Sequence, residues 1–97
     1  MNLTPHETEL IGDWIVRKGK ATRDTTCERI EWLISHHLRK LGVSKQCGAW
    51  ETLFQDPDDM RFWEQTYPKS EMHGGGPPAL KCITEKAAKS KFGEVVP

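Results

Sequence analysis

The stretch from Trp50 to Pro78 reads WETLFQDPDDMRFWEQTYPKSEMHGGGPP. It holds two of the four tryptophans, the one tyrosine, two of the three phenylalanines and four of the six prolines. A short chain builds its core around large side chains, because each of them removes a large area from water. The spacing predicts a β-hairpin. Trp50 to Gln55 is an aromatic and β-branched run. Asp56-Pro57-Asp58-Asp59 is a turn, with Pro57 presetting φ and Asp56 able to bond its own backbone. Arg61 to Tyr67 is the second run, and Pro68 ends it. Within the first run Trp50, Thr52 and Phe54 share one face and Glu51, Leu53 and Gln55 the other; within the second, Arg61, Trp63, Gln65 and Tyr67 share one face and Phe62, Glu64 and Thr66 the other. Neither alternation is clean, so pattern alone leaves open which face is core. The loop that follows ends in Gly74-Gly75-Gly76-Pro77-Pro78, glycines that permit positive φ and then two prolines that force an extended chain.

Working outward, the chain has 97 residues, the size of one domain (1–97), with 14 basic and 14 acidic side chains. A chain of this length buries roughly 60–65% of its unfolded surface, enough for a core without staples. Balanced charge gives no reason to expect nucleic acid or an anionic membrane as partner. Three widely spaced cysteines, Cys27, Cys47 and Cys82, argue against a disulfide framework and suit a reducing cytosol. The N-terminal MNLTPHETEL lacks the basic start and apolar run of a signal peptide, and no segment is apolar enough to span a bilayer.

Thr4, Pro5 and Glu7 predict a short first helix closed by Gly12. Trp14 to Thr22 is expected to form a strand or strand pair turning at Lys18-Gly19-Lys20. Thr25 to Leu41 is the clearest helix. Thr25 and Glu28 match a capping box, Cys27, Ile30, Leu33, Ile34, His37, Leu38 and Leu41 form one stripe, and Gly42 suits the C-terminal stop. Trp32 lies nearly opposite that stripe, beside Arg29, His36 and Arg39: either a second layer covers it or it marks a contact site. Val43 to Gly48 then links to the hairpin. Ala79 to Ile83 reads as a third strand. Thr84 caps a last helix, Glu85 to Phe92, ending at Gly93, and the tail Glu94 to Pro97 is expected to fray. The sum is an α+β fold: a small antiparallel sheet packed on one face by one long helix, with short terminal helices.

Chemistry is sparse. His73-Gly74-Gly75-Gly76 matches the oxyanion loop of α/β-hydrolases, but no G-x-S-x-G elbow accompanies it. Cys27, His36, His37, Cys47, His73 and Cys82 are the metal-ligand types, and no two have C-x-x-C or H-x-x-x-H spacing, so neither a metal nor a cofactor is expected. Charge distribution says more. From Glu51 to Glu71 the acids Glu51, Asp56, Asp58, Asp59, Glu64 and Glu71 face only Arg61 and Lys69. Beyond Leu80, Lys81, Lys86, Lys89 and Lys91 outnumber Glu85 and Glu94. An acidic, aromatic hairpin of this kind fits a docking surface for a basic protein.

The run GAWETLFQDPDDMRFWEQTYPKSEMHGGGPPALKCI, preceded by LIGDWI and DTTCERIEWLI, resembles the immunity protein 27 family of bacterial polymorphic toxin systems. Trp50, Asp56, Pro57, Arg61, Trp63, Glu64, Tyr67, Pro68 and Gly74 to Pro78 look like its signature positions. Turn formers, core aromatics and an Arg61–Glu64 pair that orients the strand account for many of these equally well. The resemblance implies a small cytoplasmic, non-enzymatic protein that binds and neutralises a cognate toxin domain. It carries over no catalytic residues and sets no oligomeric state. The expected toxin-binding residues are Asp56, Asp58, Asp59, Arg61, Trp63 and Glu64 on the hairpin, with Trp32 as the rival surface. The alternative is a small enzyme or ligand-binding domain that uses the His73 to Pro78 loop beside Trp63 and Tyr67. A nucleic-acid binder is disfavoured by the acids around the aromatics.

Overall fold

A computed structural model of the chain describes residues 3–44, 51–68 and 76–96. Five strands form one antiparallel sheet: β1 (Glu9–Ile11), β4 (Arg39–Ser44), β5 (Glu51–Gln55), β6 (Phe62–Thr66) and β7 (Ala79–Ile83), in the order β1-β7-β6-β5-β4. A separate hairpin pairs β2 (Trp14–Arg17) with β3 (Lys20–Arg23). Among the described residues two α-helices complete the α+β fold, α1 (Thr25–His36) and α2 (Glu85–Phe92).

The β5–β6 hairpin is the centre of the sheet. Phe54 stands opposite Trp63, and Trp63 opposite Cys82, so these side chains share a face. Phe54, Trp63 and Leu80 join Leu10, Ile30, Leu33 and Leu38 in a core beneath α1. On the other face Leu53 and Phe62 join Ala88 of α2, with Leu41, Ile83, Phe92 and Val96 packed around them. The sheet is therefore covered on both sides, by α1 and by α2. A strand buried on both faces has no polar face to alternate with, which is why the sequence pattern was not clean.

Several local expectations are corrected. Thr4 and Glu7 do exchange bonds, Thr4 N–H to Glu7 Oε1 at 2.8 Å and Glu7 N–H to the Thr4 carbonyl at 3.1 Å, but only a turn results. The chain then pairs Leu10 with Leu80 as an edge strand instead of continuing as a helix, which buries Leu10. The N-cap of α1 is Asp24, one residue earlier than Thr25, and its carboxylate accepts from the Cys27 N–H at 2.8 Å. The helix stops at His36, and Arg39–Ser44 pairs with β5, with a bulge between Lys40 and Gly42. Pairing the open edge of β5 outweighed the helical spacing that runs on to Leu41. Through Val96 the expected frayed tail is built into the fold: Gly93–Val95 forms a 3-10 turn and Val96 packs into the α2 core, while Pro97 lies outside the described residues. The β2–β3 turn at Lys18-Gly19, the strand β7, and the Thr84 cap with Gly93 closing α2 follow the sequence reading.

Candidate docking surface at the hairpin turn

Asp56 shapes the turn. Its carboxylate accepts from the Asp58 N–H at 2.8 Å, its own N–H donates to the Arg61 carbonyl at 2.9 Å, and its carbonyl accepts from the Met60 N–H at 2.8 Å. Asp56 is buried, so these bonds form away from water, where leaving them unmade is costly. Asp58 and Asp59 project outward, with side chains 68% and 38% exposed. Met60 closes the turn at φ 66 and is itself exposed. A long side chain at positive φ is strained, and strain of this kind concentrates at working surfaces.

Arg61 fastens the turn to the N-terminal segment. Its guanidinium donates to the Glu7 carbonyl at 2.6 Å, the Thr4 carbonyl at 3.0 Å and Asp59 Oδ2 at 2.6 Å, and lies 5.0 Å from the centre of the Trp63 ring. Partial burial works to raise the Asp59 pKa, but the bonds from the Arg61 N–H and guanidinium prevail and hold it below the usual carboxylate range. Glu7 in turn receives both guanidinium nitrogens of Arg29 at 2.6 Å. That bidentate bond, with the Thr4 N–H, lowers the Glu7 pKa to about 2.

The expected Arg61–Glu64 pair does not form. Glu64 points to the opposite face, where Lys91 of α2 lies 2.8 Å from it and also bonds Glu51. Burial works against the Lys91 charge, and the two carboxylates outweigh it, raising its pKa. Trp63 is fully buried, and its Nε1 has no hydrogen-bond partner among the described residues. At the turn Asp58, Asp59 and Met60 are exposed, Asp56 and Trp63 are buried beneath them, and Glu64 is buried on the opposite face of the sheet.

Trp32 belongs to the same surface. It is half-buried against the α1 core, and its ring stacks on His36 at 5.7 Å and on His37 at 6.4 Å. His37 Nε2 lies 3.0 Å from Asp56 Oδ1 and 3.5 Å from Asp58 Oδ2. The two surfaces that the sequence set against each other, the hairpin acids and the tryptophan face of the helix, are thus joined through His37. No spacing motif reveals this, because the histidine and Asp56 are 19 residues apart and meet only after α1 crosses the sheet. Of the GGGPP loop, Gly74 and Gly75, with His73, lie outside the described residues. Gly76 has φ 76 and is buried with Pro77 and Pro78, and the Pro78 carbonyl accepts from the Gly12 N–H at 2.9 Å. No described helix is long and apolar enough to cross a membrane.

These features define a small α+β protein with one contiguous surface of exposed carboxylates, a strained methionine and a stacked indole. The family model described as Immunity protein 27 matches residues 16–84. The chain belongs to that family. No curated protein and no solved structure matches it.

Proposed function

We propose that this protein is a cytoplasmic immunity protein that binds a cognate bacterial toxin domain and neutralises it by occlusion, without catalysis of its own. Membership of the immunity protein 27 family carries this reading. The surface around the hairpin turn supports it. Toxins that attack nucleic acid need basic clefts to hold phosphate, and an inhibitor of such a cleft gains from carboxylates set among apolar anchors. Asp58 and Asp59 supply the charge, and Met60 and the exposed edge of Trp32 supply apolar contact. Asp56, Arg61 and Trp63 hold the surface in shape, while Glu64 is tied to Lys91 on the opposite face. The toxin is therefore a nuclease or another enzyme that acts in the cytosol, where its inhibitor meets it.

The test is co-expression with a candidate cognate toxin domain. The native protein should rescue growth and co-purify with the toxin. Asp58→Lys combined with Asp59→Lys should weaken both effects, with circular dichroism checking that loss of the Asp59–Arg61 bond leaves the fold in place. A toxin that is lethal only when directed to the periplasm would contradict the cytosolic reading. Full rescue by the double lysine variant, with rescue lost in Trp32→Ala, would move the interface onto the helix.

A further inference from the structure

His37, Asp56 and Asp58 bring three ligand atoms within 4.8 Å of one another. One imidazole nitrogen carries at most one hydrogen and serves one acceptor well. The contact with Asp56 at 3.0 Å uses it, yet the Asp58 carboxylate also turns to the same nitrogen at 3.5 Å. Among the described residues, His37 is the only ion-pair partner of either carboxylate. Two carboxylates gathered around one nitrogen are better satisfied by a cation between the three groups than by a single hydrogen. Metal–ligand bonds of ~2.0–2.1 Å in a tetrahedral site put neighbouring ligand atoms about 3.3 Å apart. The distances of 3.0 and 3.5 Å bracket that spacing.

We propose that His37, Asp56 and Asp58 form a binding site for a first-row transition-metal dication, zinc foremost. The ligands are preorganised. Asp56 is held by the Asp58 N–H, and the His37 ring lies nearly parallel to Trp32, with 14° between the planes. One imidazole and two carboxylates suit zinc, cobalt or nickel, whereas calcium and magnesium prefer shells made of oxygen alone. Asp58 is exposed, so the remaining coordination positions face solvent and take water. The site joins the end of α1 to the hairpin turn, and this inference does not depend on the toxin-binding reading.

Chelator-treated full-length protein is titrated with cobalt(II) and with zinc(II), read by calorimetry, visible absorption and thermal melting. One equivalent should bind, with a cobalt d–d spectrum that lacks a thiolate charge-transfer band, and the melting midpoint should rise. Asp58→Asn and His37→Gln should each weaken binding by on the order of tenfold or more, as loss of a ligand demands. Asp58 is exposed, so its variant keeps the fold even where the His37 change does not. His36→Gln, which alters the neighbouring ring on the same indole, should bind like the native protein. Absence of stoichiometric uptake would overturn the proposal. So would a thiolate band, unchanged affinity in Asp58→Asn, or loss of binding in His36→Gln.

Discussion

Glu7→Gln removes one charge from the bracket that ties the N-terminal turn to α1 and keeps the size of the side chain. The native carboxylate receives both Arg29 nitrogens at 2.6 Å and the Thr4 N–H at 2.8 Å, and its pKa falls from the usual 4.5 to about 2. At ~1.36 kcal/mol per pH unit, that gap sets a ceiling of about 3 kcal/mol. The Glu7 side chain remains 24% exposed, and screening by solvent reduces the expected contribution to about 1–2 kcal/mol. The sign follows from the direction of the shift. A carboxylate with a depressed folded-state pKa stabilises fully above its unfolded value, and the contribution disappears as pH falls through the folded value. Glu7 should therefore stabilise fully above about pH 5 and cease to do so near pH 2. Urea unfolding followed by tryptophan fluorescence at pH 7, 4, 3 and 2 measures this for both proteins. Other carboxylates titrate in the same range, so the difference between native and variant is the quantity to read. The variant should be less stable at pH 7, and the gap should close toward pH 2. A gap that is absent at pH 7, or that persists unchanged at pH 2, would refute the reasoning.

Gly12 has no room for a methyl group: a Cβ there would lie 2.5 Å from Cys27 Sγ and 2.8 Å from the Pro78 carbonyl oxygen. Gly12→Ala should cost about 2–3 kcal/mol in urea unfolding. Adding Cys27→Ala should recover only part of that, because the backbone carbonyl remains. Met60→Gly should raise stability by about 0.5–1 kcal/mol by releasing the positive φ, while toxin affinity measured by calorimetry falls. Lys91→Met leaves Glu51 and Glu64 without their shared cation and should cost roughly 2 kcal/mol. Its thermal unfolding should show α2 loosening first, as increased hydrogen exchange over Glu85–Phe92.

The parts of the fold legible in the sequence are those with local signals. The Asp56-Pro57 turn, the prolines that bound β6 and β7, and the Thr84 cap with Gly93 all act within a few residues of themselves. The elements that the sequence does not disclose depend on distant partners. Glu9–Ile11 is a strand because β7 offers an edge, and Arg39–Ser44 is a strand because β5 does. Leu38 and Leu41 keep helical spacing with Leu33 and Ile34, yet after His36 they pack on opposite faces of the sheet. The candidate surface was legible in its residue types but not in its assembly. Asp58, Asp59 and Trp32 were recognisable as exposed acids and as an indole off the core stripe. The contact of His37 with both Trp32 and Asp56, which joins them, arises only from the tertiary packing.

The most direct measurement is the association rate of the cognate toxin domain with the native protein and with the Asp58→Lys, Asp59→Lys variant, across a range of salt concentration. The native protein should associate fast, and more slowly as salt rises, because opposite charges steer the encounter. The variant should associate at least about tenfold more slowly at low salt, with a flat or reversed salt dependence. Equal rates and equal salt slopes for the two proteins would contradict the claim that the hairpin turn faces the toxin.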